Sequence, residues 1–75
     1  MIPYANRSGK SGVAEYELGD SSIKVRFVSD RTVYVYDYSK PGAVYVEQMK
    51  RLAVNGKGLA TYIGKNVKKN FARKE

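Results

Sequence analysis

Lys57, Lys65, Lys68, Lys69, Arg73 and Lys74 lie between residues 57 and 74 with no acidic residue among them, and Glu75 follows. Cations in such a run neutralise phosphates, and their alkyl stems can lie along apolar surface while the charge reaches outward. A second group of residues suits the same ligand. The stretch TVYVYDY at 32–38 places Tyr34, Tyr36 and Tyr38 on one face of a strand. Facing outward, Tyr34 and Tyr36 would share a side with Lys24 and Arg26 and could stack on unpaired bases, at about 1–3 kcal/mol per base. Facing inward, they would form the wall of a core.

Other chemistries find little support. The 75 residues include no histidine and no cysteine. That removes metal centres built on those ligands, together with Ser-His-Asp and Cys-His nucleophilic systems. No metal or other cofactor is expected. Glu15 and Glu17 sit two apart on one strand face and could form an acid/base pair, but Lys24 and Arg26 are their predicted partners. Asp37 suits a structural ion pair better than a base. In NGKGLATYIGKN, Asn55-Gly56 reads as a helix C-cap, leaving Lys57 free to meet a phosphate ahead of the next helix. The run lacks the GxxxxGK[ST] pattern of a nucleotide-binding loop. An enzymatic role is not expected.

The charge is lopsided. The formal net charge is +7, yet residues 1–38 carry five basic and five acidic side chains, so the whole excess lies in residues 39–75. Such a field favours a polyanion, with an acidic protein as the alternative partner; RNA is preferred to duplex DNA because no recognition helix is evident and outward aromatics suit unpaired bases. No apolar run approaches the ~20 residues of a membrane span, and Pro3 and Asn6-Arg7 close to Ile2 leave no secretory leader pattern. Cysteine-free composition fits a reducing compartment. The expectation is a cytoplasmic protein, bacterial or phage-encoded in the host cytoplasm, without membrane attachment.

These residues need a scaffold. Residues 1–11 are polar and unpatterned and read as a flexible arm, in which Ile2 and Tyr4 could dock; residues 12–75 form one domain. GVAEYEL and SIKVRFV alternate about the turn signal GDSS. Closed on Asp20-Ser21, the hairpin pairs Leu18 with Ile23, Tyr16 with Val25 and Ala14 with Phe27. Glu17 then opposes Lys24, and Glu15 opposes Arg26, so apolar and charged pairings select one register. The next turn is ambiguous. A two-residue loop at Asp30-Arg31 puts Tyr34 opposite Phe27 and Tyr36 opposite Val25, on the core side; a three-residue loop turns the tyrosines outward. Ser39 can cap a helix that begins near Pro41, with Tyr45, Gln48, Met49, Leu52 and Ala53 on its inner face. A short second helix follows in LATYI. The tail after it continues helical or extended; if helical, Val67 and Phe71 anchor it and Lys65, Lys68 and Lys69 cluster. The expected fold is α+β: a three-stranded antiparallel meander covered by one amphipathic helix, then a short second helix and a basic tail. A dimer is an option should both sheet faces carry large apolar groups.

Tyr34-Val35-Tyr36 (or Tyr36-Asp37-Tyr38), followed by Pro41, Val44-Tyr45, Gly56-Lys57-Gly58, Tyr62 and Asn66 with Lys68-Lys69, resembles the KTSC domain over residues 12–70. That small domain occurs at the C-terminus of some lysyl-tRNA synthetases and as short stand-alone bacterial and phage proteins. Asp30-Arg31 stands where the family usually has a turn glycine. The resemblance implies an α+β fold and, from the company of a tRNA ligase, RNA binding.

The sequence therefore points to a non-enzymatic nucleic-acid-binding module, RNA before DNA. Lys57, Lys65, Lys68, Lys69, Arg73 and Lys74, with Lys24 and Arg26, are the phosphate-binding candidates, and Tyr34 and Tyr36 the stacking candidates. The alternative is a protein–protein interaction module or a phage-encoded modulator of a host protein.

Overall fold

A computed structural model of the chain describes residues 1–7, 9 and 11–75. In chain order the elements are β1 (Ile2–Pro3), β2 (Val13–Leu18), β3 (Ser22–Phe27), β4 (Val33–Asp37), α1 (Ala43–Asn55), α2 (Leu59–Tyr62), a π-helical turn (Ile63–Val67) and β5 (Arg73–Lys74). The α+β expectation holds, but the sheet has five antiparallel strands in the order β1-β2-β3-β4-β5, not three. The two additional strands are two-residue edges, too short to carry any alternation in sequence.

The β2–β3 hairpin takes the expected register over most of its length: Leu18 opposes Ile23, Glu17 opposes Lys24, Tyr16 opposes Val25 and Glu15 opposes Arg26. A bulge at Ala14 then lets Val13, rather than Ala14, oppose Phe27 and enter the core. The larger side chain buries more apolar area there, which favours the shift. In β4, Tyr34 opposes Val25 and Tyr36 opposes Ile23, two residues out of the step expected for a two-residue loop. Asp30 lengthens that connection: its backbone N–H donates to Phe27, and its carboxylate accepts from the Thr32 N–H at 2.9 Å. Displacement by two keeps the same parity, so Tyr34 and Tyr36 face the core side of the sheet.

Residues 2–7 belong to the body of the fold. Ile2 opposes Tyr16, Tyr4 is buried edge-on against the Tyr16 ring, and the Leu59 N–H donates to the Tyr4 hydroxyl. Residue 12 is thus no structural boundary.

Helix α1 covers the sheet through Val46, Met49 and Ala53, with Leu52 half-buried. Tyr45 and Gln48, expected on that face, lie off it. Met49 and Ala53 belong to both possible stripes, and burying Val46 seals aliphatic surface while leaving the Tyr45 hydroxyl in water. Gly42, not Ser39, is the N-cap. Asp37 accounts for the difference: its carboxylate accepts from the Ser39 and Lys40 backbone N–H groups, building a turn ahead of the helix.

At the other end of α1, Gly56 takes the left-handed conformation (φ 76°) and caps the helix, as expected for Asn55-Gly56. A Cβ there would stand 2.6 Å from the Ala5 Cβ. Gly56→Ala is therefore expected to cost more than the ~1–2 kcal/mol of left-handed backbone alone. A thermal melt would show it, and an unchanged midpoint would contradict the packing of residue 5 on the cap.

Beneath α1 the core gathers Tyr4, Val13, Tyr16, Ile23, Val25 and Tyr36 from the sheet side, and Leu59, Ile63 and Val67 from the second helical segment. The opposite sheet face presents Glu15, Glu17, Lys24 and Arg26, with Val35 buried between Lys24 and Arg73 in the register. Charged pairs, rather than large apolar groups, occupy that face, so the stated reason for a covering second copy falls away. Among the described residues no helix is long and apolar enough to cross a membrane.

Candidate nucleic-acid interface

The tail after Val67 is extended, not helical. The π-helical turn ends at Lys68, whose positive φ of 22° is uncommon for a residue with a side chain. The chain reverses there, and Ala72 and Glu75 hydrogen-bond to Val35 and Val33 of β4. Phe71 is thereby laid edge to face against Tyr34 and Tyr36. π-Helical turns of this kind are rare and concentrate at functional sites.

Between the π-helical turn and the sheet lies an open groove of about 510 Å³, lined by Phe27, Tyr34, Tyr36, Ile63, Lys68, Lys69, Phe71 and Lys74. Its aromatic wall is a chain of edge-to-face contacts. Ring centroids lie 5.7 Å apart for Phe27 and Tyr34, 5.1 Å for Tyr34 and Phe71, and 6.4 Å for Tyr36 and Phe71. The Lys74 ammonium stands 5.7 Å from the Tyr34 centroid and 5.6 Å from that of Phe71, within cation–π range.

The two tyrosines expected to stack have separate roles. Tyr36 is 1% exposed and forms the floor of the groove; burial pushes its phenol up to about 12. Tyr34 is half-buried and presents ring surface in the wall. Its hydroxyl donates to Asp30 at 3.0 Å, which raises the phenol above its ordinary value. Bonds from Thr32, then from Tyr34, hold the Asp30 carboxyl below the usual range. Both rings are neutral at physiological pH.

The candidate cations divide between two faces. Lys68, Lys69 and Lys74 meet at the groove. Arg73, one residue from Lys74 in a strand, faces the other side of the sheet with Lys24 and Arg26. There Lys24 pairs with Glu75 and Arg26 with Glu15, each at 2.9 Å, and Arg73 pairs with Glu75 at 3.1 Å. Glu17 opposes Lys24 in the register, but the Lys24 ammonium turns to Glu75 instead. Glu15, Glu17 and Glu75 thus offset Lys24, Arg26 and Arg73, and this face is electrically balanced. Since the tyrosines face the other way, Lys24 and Arg26 share no surface with them. Lys57, in the loop between α1 and α2, and Lys65, in the π-helical turn, are exposed and outside the groove lining.

Phe27 and Phe71 complete the wall and were not singled out as ligand-facing in the sequence. The signal for Phe71 was an aromatic among the tail cations, but its spacing from Val67 suggested a helical anchor. Among the described residues Asp37 forms no ion pair, the role expected of it; its carboxylate instead accepts from the Ser39 and Lys40 backbone N–H groups. Among the described residues no group of His, Cys, Asp and Glu could hold a metal ion.

Glu75 fastens β5, and with it the Phe71–Lys74 side of the groove. Hydrogen bonds from Lys24 and then Arg73 hold its carboxyl below the ordinary value. A lowered native pKa adds stability that is complete above the unfolded glutamate value of about 4.3 and is lost as pH falls through the native value. Protection of the Glu75 and Val33 amides against exchange, relative to the unfolded chain, is therefore expected to fall in acid before the hydrogen bonds between β2 and β3 open. Simultaneous opening of both strand pairs would contradict this order.

No family model matches the chain, no curated protein matches it, and no solved structure matches it.

Proposed function

We propose that this chain is a non-enzymatic RNA-binding module that engages unpaired nucleotides at the groove between the π-helical turn and β4–β5. One observation carries the reading: Lys68, Lys69 and Lys74 share an open groove with the half-buried rings of Phe27, Tyr34 and Phe71. Ammonium groups take phosphate, and neutral rings take the faces or edges of bases; single-strand binders combine these two elements. RNA helices are read by shape and 2′-hydroxyl contacts across a wide minor groove, whereas a groove walled by aromatic rings suits bases that are splayed out. The balanced opposite face of the sheet offers a polyanion no comparable attraction. Kinship with the KTSC domain, carried by Tyr34, Tyr36, Pro41 and the Gly56-Lys57-Gly58 break, is part of the same proposal.

Fluorescence anisotropy with a labelled single-stranded RNA and a matched blunt duplex tests the reading. The single strand is expected to bind more tightly, and both affinities to fall as salt rises. Tighter binding of the duplex, or affinity indifferent to salt, would contradict it.

A second reading, a protein-interaction module, is favoured by the outer side of α1. Ala43, Val44, Glu47, Gln48, Arg51 and Tyr62 line a shallower groove of about 470 Å³, and Val44 is 81% exposed. An acidic protein partner retained from nuclease-treated lysate, and lost with Val44→Glu, would support that reading. Retention unaffected by Val44→Glu would count against it.

A further inference from the structure

We infer that the groove is a single-nucleotide site, holding one unpaired base against Tyr34 and Phe71 while Lys68, Lys69 and Lys74 take the phosphates around that nucleotide; the inference rests on the RNA-binding reading above. The aromatic surface allows one base and no series of them. Tyr34 meets Phe27 at 5.7 Å and Phe71 at 5.1 Å, both edge to face, so the three rings form a single continuous wall. A strand of successive stacked bases needs rings set apart along a track, and the remaining tyrosines do not supply one. Tyr4, Tyr16 and Tyr36 are sealed in the core. Tyr38 donates to Glu47 at 2.6 Å beside α1, Tyr45 stands on α1 outside the groove lining, and Tyr62 lines the other groove. The volume of about 510 Å³ also falls in the range of small-ligand pockets.

The charge count agrees. Three cations line the groove, whereas Lys24, Arg26 and Arg73 are occupied by Glu15 and Glu75 on the other side of the sheet. Lys74 lies over the two rings that the base would use. A base taking its place frees the ammonium for the adjoining phosphate, so one movement of one side chain both opens the stacking surface and supplies a counter-charge.

Two quantities separate this site from a diffuse basic surface. On single strands, log Kobs falls with log salt at about 0.7 per neutralised phosphate, so three lysines give a slope of about −2. All eight cations that the sequence suggested would give a slope between about −5 and −6. The second quantity is the dependence on bases. One stacked base should account for the whole stacking contribution, a change of roughly ten- to a hundredfold.

The test titrates a tetranucleotide and a dodecanucleotide of RNA across a salt series, the longer strand having phosphates enough to engage every cation of a diffuse surface. It also uses an abasic strand of tetranucleotide length and the same strand carrying one base. The expected result is a slope near −2 for both RNA lengths. The strand with one base should bind like the intact tetranucleotide, and the fully abasic strand roughly ten- to a hundredfold more weakly. Binding with a slope steeper than about −5, or binding unaffected by removal of every base, would overturn the single-nucleotide site while leaving RNA binding in place. Absence of binding by any strand at low salt would overturn both.

Discussion

The double variant Lys68→Glu/Lys69→Glu is expected to weaken binding of single-stranded RNA by roughly a thousandfold, with the fold intact. Both side chains are exposed and line the groove, and each reversal changes the local charge by two units. A charge pair at contact distance is worth about 1 kcal/mol in water, so four units come to a factor on the order of a thousand. Arg26→Gln/Lys57→Gln, both outside the groove, should leave affinity nearly unchanged, because Glu15 already offsets Arg26 and Lys57 lies off the groove lining. Equal losses from the two double variants, measured by anisotropy at one salt concentration, would mean that the whole surface attracts RNA and the groove has no special part. Circular dichroism of each variant separates lost binding from lost folding.

Tyr36→Ala is expected to cost about 3–5 kcal/mol of stability, the range for removing a large buried ring. Tyr36 is 1% exposed, opposes Ile23 across the sheet and meets Phe71 edge-on. Domains of this length have about 4–11 kcal/mol in total, so the variant would lose a large part of its stability and its melting temperature would fall by some 15–30 °C. Tyr36→Phe keeps the ring and should retain most of the stability. Tyr34→Ala supplies the contrast: half-buried at the groove wall, it should lose less stability and more affinity. A Tyr36→Ala protein as stable as the parent, with RNA binding abolished, would reverse the roles assigned to the two tyrosines.

The β2–β3 hairpin was legible because two independent patterns agreed. Tyr16 and Leu18 called for Val25 and Ile23 on one face, and Glu15 and Glu17 called for Arg26 and Lys24 on the other. The bulge at Ala14 was not, since a small side chain fits either face. The β3–β4 register failed in length and survived in parity: without a turn glycine, nothing in Ser29-Asp30-Arg31 announces that Asp30 will bond back to Phe27 and forward to Thr32. Of the site, the cations were legible as a run of charge. Their division between two faces was not, because it depends on Arg73 and Lys74 being neighbours in a strand, and a two-residue strand has no period to read. Phe71 was misplaced for a related reason. Its four-residue spacing from Val67 satisfies a helix, and only the reversal at Lys68 brings it to Tyr34 instead.

On the proposed function, one face of this small sheet, at one groove, meets the nucleic acid. Amide and side-chain chemical shifts of isotope-labelled protein, followed by NMR as a short single-stranded RNA is added, address it most directly. Shifts are expected at Phe27, Tyr34, Lys68, Lys69, Phe71 and Lys74, with Glu15, Lys24 and Arg26 nearly still. Shifts centred on Lys24 and Arg26, or along Val44, Gln48 and Arg51 of α1, with the groove silent, would contradict it.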